Sequence, residues 1–215
     1  MSPRVKYGGS VTIDRLVERI TRCVTGLALF GVGISLQIES RLGNPPWDVF
    51  HQGVANQVGL GIGTVIILTG IALLVLVWIP LRQKPGLGTV LNALEIGLVA
   101  NLVLDAIPRV EAMALRIPML LGGILLVALG SALYIGSGLG PGPRDGIMTG
   151  LAARGIQIRV ARTFIEVTVL VVGWLLGGQV GVGTVLFAIA IGPLVQPLLP
   201  RLTMESRANS GSAPA

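Results

Sequence analysis

A few ionisable and amide side chains stand inside stretches of sequence that are otherwise apolar. Asn92 and Glu95 are three residues apart and would share one face of a helix, whereas Arg162 and Glu166 are four apart, the spacing at which opposite charges pair. In a membrane such groups are costly unless they meet a partner or water, so they are candidates for binding a polar solute or a proton. Glu95 is the first candidate. Arg162 has a simpler alternative role, in which it reaches the interface and neutralises Glu166.

Two related loops contain further polar residues. NPPWDVFHQG includes Trp47 and Asp48, and GPRDGIMTG includes Arg144 and Asp145. Each loop predicts a short helix with a proline in its first turn and an acid near the positive end of the helix dipole. In the first loop, Asn44 is a candidate capping residue. About eleven helical residues would cover roughly 16 Å, half of a bilayer.

The short helices have two interpretations. If they are re-entrant, their backbone N–H groups face a solute, and Asp48 and Asp145 are site or gating residues with Glu95 between them. If they lie flat at the membrane interface, Trp47 belongs to the aromatic belt and each acid is a helix cap. His51, the single histidine, is expected to be an exposed loop residue rather than a proton relay.

The elements that must position these residues are long and apolar. Hydrophobic residues make up 52% of the chain and charged residues 12%, and the mean hydropathy is +0.82, which is unlike a water-soluble domain. Six stretches approach the roughly 20 residues that span a bilayer as a helix. They cover residues 22–38, 62–81, 87–107, 117–136, 161–178 and 182–199. The sequence therefore predicts an all-α membrane protein with six transmembrane helices.

The chain also contains an internal repeat. Residues 25–55 align with residues 122–152 at an offset of 97, and the identical pairs include Ser40/Ser137, Pro46/Pro143 and Asp48/Asp145. The offset falls to 96 where Trp78 meets Trp174, and to 95 where GLGTVLNALEIG meets GVGTVLFAIAIG. Each copy holds three predicted spans, an odd number, so the second copy is expected to enter the membrane inverted.

The positive charges predict an orientation for this topology. Thirteen of the 16 Lys and Arg residues fall on one side, and the other side holds only Arg41, Arg109 and Arg116. Positive residues near span ends stay in the cytoplasm, so both termini are predicted to be cytoplasmic. The predicted organisation is a cytoplasmic segment (1–21), a first three-helix repeat (22–107), an outer linker (108–116), a second and inverted repeat (117–200) and a disordered cytoplasmic tail (201–215).

Several classes of function are disfavoured. The positive residues are scattered rather than gathered in a patch, so no nucleic-acid partner is expected. One cysteine and one histidine build no metal-ligand cluster, and no phosphate loop occurs, so no metal or other cofactor is expected. An intramembrane protease is disfavoured because the paired acids lie in loops and no histidine accompanies Ser137 in a span. We therefore expect no enzyme.

The sequence resembles the YczE/YyaS/YitT-type family of bacterial integral membrane proteins in four segments: LGNPPWDVFHQG, PLRQKPGLGTVLNA, SGLGPGPRDGIMTGL and GVGTVLFAIAIGPL. The resemblance covers about residues 20–200. It implies a multi-pass protein of the bacterial cytoplasmic membrane, with the Pro-Trp-Asp and Pro-Arg-Asp loops as family hallmarks. It implies no substrate and no catalytic residue.

We expect a secondary transporter that moves a small solute or metabolite by rocking two inverted halves about a shared site. Its partners would be the lipid bilayer, an unidentified small solute and, through Glu95, a coupling proton, because an acid in a low-dielectric cavity can exchange a proton near physiological pH. A homo-oligomer is a further expectation. The alternative is a non-transporting accessory or scaffold for a partner enzyme. Aqueous cavities between the halves would favour transport, and a tightly packed centre with an exposed apolar patch would favour the accessory.

Overall fold

A computed structural model describes residues 15–81, 85–152 and 154–204. Residues 1–14 of the predicted cytoplasmic segment, the loop at 82–84 and residues 205–215 of the predicted disordered tail lie outside the described residues. The predicted start of that tail at residue 201 is too early, because the last helix continues through Leu202. Within the described ranges every regular element is a helix. The eight helices are α1 (Leu16–Ser40), α2 (Pro46–Val58), α3 (Ile62–Leu81), α4 (Leu87–Ala106), α5 (Met113–Gly136), α6 (Pro143–Ala152), α7 (Ile158–Leu175) and α8 (Val182–Leu202).

The long helices fall where the apolar stretches predict them. The predicted stretch 62–81 coincides with α3, whereas α1 starts six residues before the predicted boundary at 22 because Leu16 to Thr21 continue the helix. Of the helices in the described part of the chain, four are long and apolar enough to cross a membrane: α1, α4, α5 and α8. The pair α2 and α3, bent by 111°, raises the number to as many as five if it counts as one broken span. The first half of α7 carries Arg159, Arg162 and Glu166, which lowers its apolar character.

The centre of the molecule is the contact between α1 and α5. A Cβ atom added at Gly26 would lie 2.8 Å from the carbonyl oxygen of Gly130, and one added at Gly33 would lie 2.7 Å from that of Gly123. Contacting residue numbers rise along α1 as they fall along α5, so the two helices run antiparallel. Glycine at these positions allows the backbones to touch, which is how small residues support helix packing in lipid.

Two arginines close the ends of this helix pair. The guanidinium of Arg19, near the start of α1, donates a hydrogen bond of 2.7 Å to the carbonyl oxygen of Ser137 just after α5. Arg116, near the start of α5, donates a hydrogen bond of 2.5 Å to the carbonyl oxygen of Ser40, the last residue of α1. Cations at helix C-termini satisfy carbonyls that have no partner within the helix. The two contacts are equivalent, because the repeat offset of 97 converts one into the other.

The loops after α1 and α5 also exchange partners between the two repeats. The backbone N–H of Gly88, at the start of α4, donates to the carbonyl oxygen of Leu139 over 2.9 Å, and the N–H of Gly183, at the start of α8, donates to that of Leu42 over 2.8 Å. The last helix of each repeat therefore begins against the loop of the other repeat. This exchange holds the loops that carry the polar motifs at the contact between the two halves.

Candidate functional site

A cavity of about 570 Å³ lies between the two repeats and is here named the central cavity. Its described lining comes from every helix except α3. The polar residues of the wall are Asp48, Asn92, Ser131, Tyr134, Arg144, Asp145, Arg162, Glu166 and Gln196. Apolar and aromatic residues, among them Phe30, Ile34, Trp47, Ile96, Val127, Met148, Phe187 and Ile191, supply the rest. Its volume and mixed lining match those of sites that hold small molecules.

The two short helices begin side by side at this cavity. The predicted short helices are present as α2 and α6, each with a proline in its first turn. The guanidinium carbon of Arg144 lies 5.0 Å from the centroid of the Trp47 ring, a cation–π contact. The offset of 97 makes these two residues counterparts, so the contact joins equivalent points of the two repeats. Trp47 is buried, and the neighbouring Asp48 is 1% exposed.

The loop before α2 is tied down by side chains other than the predicted cap. The amide nitrogen of Asn44 donates to Oε1 of Gln52 over 3.0 Å, and the backbone N–H of Gln179 donates to the same Oε1 over 2.7 Å. Pro45 occupies the N-cap position of α2, and no side chain caps the helix there. The prediction that Asn44 caps the helix is therefore wrong, because its side chain is turned along α2 instead.

Asp48 pairs with His51, which is buried instead of exposed. Nδ1 of His51 lies 3.1 Å from Oδ1 of Asp48, and His51 is 1% exposed. The prediction of an exposed loop histidine is wrong, because α2 is buried on the face that carries Trp47, His51 and Ala55. Spacings of four residues mark that face, and the i, i+3 spacing from Asp48 is the signal that could have identified the pair.

Asp145, the counterpart of Asp48, has a different neighbour. The hydroxyl of Tyr134 donates a long hydrogen bond of 3.4 Å to Oδ2 of Asp145. Tyr134 is itself buried and contributes to the cavity wall. Met148 stands where the first repeat has His51, so the two acids sit in unlike surroundings.

The predicted ion pair in α7 is present. Nε of Arg162 donates to Oε1 of Glu166 over 3.0 Å, with both side chains partly exposed. Both residues line the central cavity.

Asn92 and Glu95 are separated by the structure. Asn92 lines the central cavity together with Ile96, which lies four residues further along and shares its face more closely than a residue three away. Glu95 is half-buried and does not belong to the described wall of the cavity. The candidate set therefore divides: Trp47, Asp48, Asn92, Arg144, Asp145, Arg162 and Glu166 converge on the central cavity, and Glu95 lies apart.

A second, much smaller cavity adjoins the first. It measures about 10 Å³, room for about one water molecule. Its polar lining is His51, Thr69, Asn92 and Arg144. Asn92 and Arg144 line both cavities, which places His51 next to the central cavity but behind its wall. No group of three or more His, Cys, Asp and Glu side chains among the described residues is arranged to hold a metal ion.

Comparison with known proteins identifies relatives over almost the whole chain. Residues 17–199 match the model of a family of unknown function, DUF6198. An uncharacterized protein of Haemophilus influenzae is 40% identical over 195 residues, which cover 90% of this chain and 89% of that protein. Two Bacillus subtilis proteins also match. The uncharacterized membrane protein YczE is 32% identical, covering 87% of this chain and 88% of its own, and the uncharacterized protein YyaS is 29% identical, covering 81% and 89%.

These matches confirm the resemblance to YczE and YyaS. Together with the apolar helices, the likeness to a membrane protein identifies a multi-pass membrane protein. No solved structure matches the chain.

Proposed function

We propose that this chain, which belongs to the DUF6198 family, is a secondary transporter that moves a small polar solute across the bacterial cytoplasmic membrane. The observation that carries the proposal is the central cavity, which lies between the repeats and receives the N-terminal ends of both short helices. In carriers built from inverted repeats, the solute site lies at the repeat interface and is formed by broken or short helices.

Six spans and an inverted second repeat belong to this proposal. The antiparallel contact of α1 with α5 supports inversion, since α1 and α5 are counterparts. The closest glycine contacts have equivalents: Gly26 on Gly130 becomes Gly123 on Gly33 when the offset of 97 is applied. The reciprocal contacts of Arg19 and of its counterpart follow the same rule. A twofold axis in the membrane plane would produce these exchanges.

Re-entrant short helices are also part of the proposal. Two helices lying flat on opposite membrane surfaces would hold Trp47 and Arg144 a bilayer apart, whereas the side chains are in contact. The burial of Asp48 supports the same interpretation. Both helices would then begin near the midplane, at the solute, and run toward opposite sides of the membrane.

The wall of the central cavity suggests the kind of solute. Arg144 and Arg162 offer positive charge, and Asp48, Asp145 and Glu166 offer negative charge. A small zwitterion fits such a wall better than an ion of one sign, because each charge on the solute meets an opposite charge. A neutral metabolite with many hydrogen-bonding groups also fits, because it can bind to charged donors and acceptors of both signs. Rocking of the halves would break and remake the contact of Arg144 with Trp47 at the centre.

The surroundings follow from the same proposal. The distribution of Lys and Arg predicts both termini in the cytoplasm, and the lipid bilayer covers the outward apolar faces. A homo-oligomer remains an expectation.

The accessory or scaffold alternative is supported by the exposed apolar surfaces of α7 and α8, where Phe164 is 71% and Val182 is 77% exposed. Those surfaces would face a partner enzyme instead of lipid.

Uptake and efflux by the purified protein in vesicles, measured against a panel of radiolabelled metabolites, test the proposal. Ser131 lines the cavity, and Ser131→Phe should fill it and abolish flux. Leu125→Phe introduces the same ring on the same helix at a position that is 55% exposed, and flux should persist. Absence of flux for every metabolite, or equal loss in both variants, would contradict transport through this cavity.

A further inference from the structure

The pair formed by Asp48 and His51 is buried between the two cavities. Each residue is 1% exposed, and the atoms Nδ1 and Oδ1 are 3.1 Å apart. Asp48 belongs to the wall of the central cavity, and His51 belongs to the wall of the small one. A proton held on the pair could therefore be passed toward either space without crossing bulk apolar protein.

The surroundings of His51 make its protonation depend on the position of α6. Burial of His51 opposes a positive imidazolium, whereas Asp48, on the same helix, stabilises it. Arg144, from α6, lines the small cavity with His51 and opposes a second positive charge there. The side chains that α3 and α4 present to that cavity, Thr69 and Asn92 among them, carry no charge.

The remaining charged groups lie further into the central cavity. They are Asp145 on α6 and the ion pair of Arg162 and Glu166 on α7. Of all these charged groups only Arg144 lines the small cavity together with His51, so its movement changes the charge next to His51 most. If the halves rock and Arg144 leaves the Trp47 ring, proton uptake by His51 becomes easier.

We propose that Asp48 and His51 form the site that binds the coupling proton of the carrier. This inference rests on the proposed transport function and moves proton coupling from Glu95 to α2. The second repeat has Asp145 but Met148 in place of the histidine, so only one half binds the proton. The proton is taken up as the neutral imidazole becomes imidazolium, and it leaves by the reverse step, with no other bond made or broken.

The single histidine makes a direct test possible. The full chain, prepared without a histidine tag, is labelled with ¹⁵N-histidine and placed in lipid vesicles, and the ring nitrogen shifts are recorded from about pH 8 to about pH 4. We expect the neutral pattern to give way to the imidazolium pattern. A ring that stays neutral over this range, or one that is charged throughout, would overturn the proposal.

Two matched variants sharpen the result. Asp48→Asn removes the negative charge beside the ring and should lower the midpoint of the titration by about one pH unit or more. Asp145→Asn, the counterpart in the other repeat, should move the midpoint by a clearly smaller amount. Equal shifts would contradict the pairing. If Asp48→Asn does not fold, the titration of the unaltered chain decides the question.

The same vesicles separate this proposal from that of transport. The metabolite panel is measured with and without a pH gradient. Flux that does not depend on the gradient, together with a ring that stays neutral, would contradict the proton site but support the carrier. If the ring titrates and its midpoint shifts in Asp48→Asn, but no flux is measured, the result would support the proton site and contradict the carrier. We expect the pH gradient to drive flux in the unaltered protein. In His51→Gln we expect this gradient-driven flux to be lost.

Discussion

The third and fourth helices of the two repeats differ in how they meet. In the first repeat α3 packs on α4, and a Cβ atom added at Gly97 would clash with the carbonyl oxygen of Gly63. In the second repeat α7 and α8 make no comparable contact over their described lengths. Among the described residues, no atom of another helix lies within 4 Å of a Cβ added at Gly192, the counterpart of Gly97.

The difference follows from which residues changed after duplication. At the offset of 96, Arg159 stands in place of Gly63 and Glu166 in place of Gly70. Both glycines are needed for backbone contact in the first repeat, where an added Cβ at Gly70 would lie 3.0 Å from Ala93. In place of a backbone contact, α7 contributes Arg162 and Glu166, and α8 contributes Phe187 and Gln196, to the wall of the central cavity. One repeat therefore forms a closed wall and the other an open one.

The largest expected difference between the repeats is the side of the membrane that each faces. Gln57 is exposed at the end of α2 and its counterpart is Arg154. In a background of Cys23→Ser, Gln57→Cys should react with a membrane-impermeant thiol reagent only from outside, and Arg154→Cys only from inside, since inverted repeats present equivalent positions to opposite faces. Labelling of both from one side would refute the inversion.

A matched pair of glycine substitutions tests the contrast between the closed and the open wall. Gly97→Ala should destabilise the protein by about 1–3 kcal/mol through overpacking, which outweighs the gain in helix propensity. Gly192→Ala should be neutral or stabilising by up to about 1 kcal/mol, because propensity acts alone. Thermal unfolding in detergent measures both. Equal destabilisation would mean that α7 and α8 are as close as α3 and α4.

Substitution of the reciprocal arginines tests where the repeats are alike. Arg19→Met removes the charged hydrogen bond to Ser137, and Arg116→Met removes those to Ser40 and Arg41; both variants keep much of the apolar stem. Each should lower the free energy of unfolding by about 1.5–3 kcal/mol, reduced where water can replace the donor. Arg109→Met, at an exposed position in the linker, is the control and should have little effect. A large cost for one arginine and none for the other would break the equivalence of the α1 and α5 ends.

Much of the helical architecture could be predicted from the sequence because long apolar runs in a membrane have few alternatives to a helix. The stretch 62–81 and the short helices with proline in the first turn are examples. The pairing of Arg162 with Glu166 was also predictable, since it depends on spacing within one helix. Features that depend on a single helix can be predicted from the sequence without knowing which helices pack against it.

Features that depend on the packing of neighbouring helices could not be predicted from the sequence. The burial of His51 results from the packing of α2 against α3 and α7, where Gly53 and Gly173 approach closely. The position of Glu95 outside the cavity depends on which face of α4 turns toward α1 and α3. The gap between α7 and α8 could have been suspected from the replacement of Gly63 and Gly70 by charged residues, but only once the repeat had been aligned through α3.

The proposed transporter requires the cavity between the repeats to open to each side of the membrane in turn, and this can be tested without knowing the solute. In a background of Cys23→Ser, Ser131→Cys places one thiol in the cavity wall, and its reaction with a membrane-impermeant reagent is measured from outside and from inside the vesicles. If the protein is a carrier, the thiol should be modified from both sides. Because only one side is open at a time, a shift of the population toward one open state should reduce access from the other side. A thiol that reacts from one side only, or from neither, would contradict alternating access and favour the accessory function.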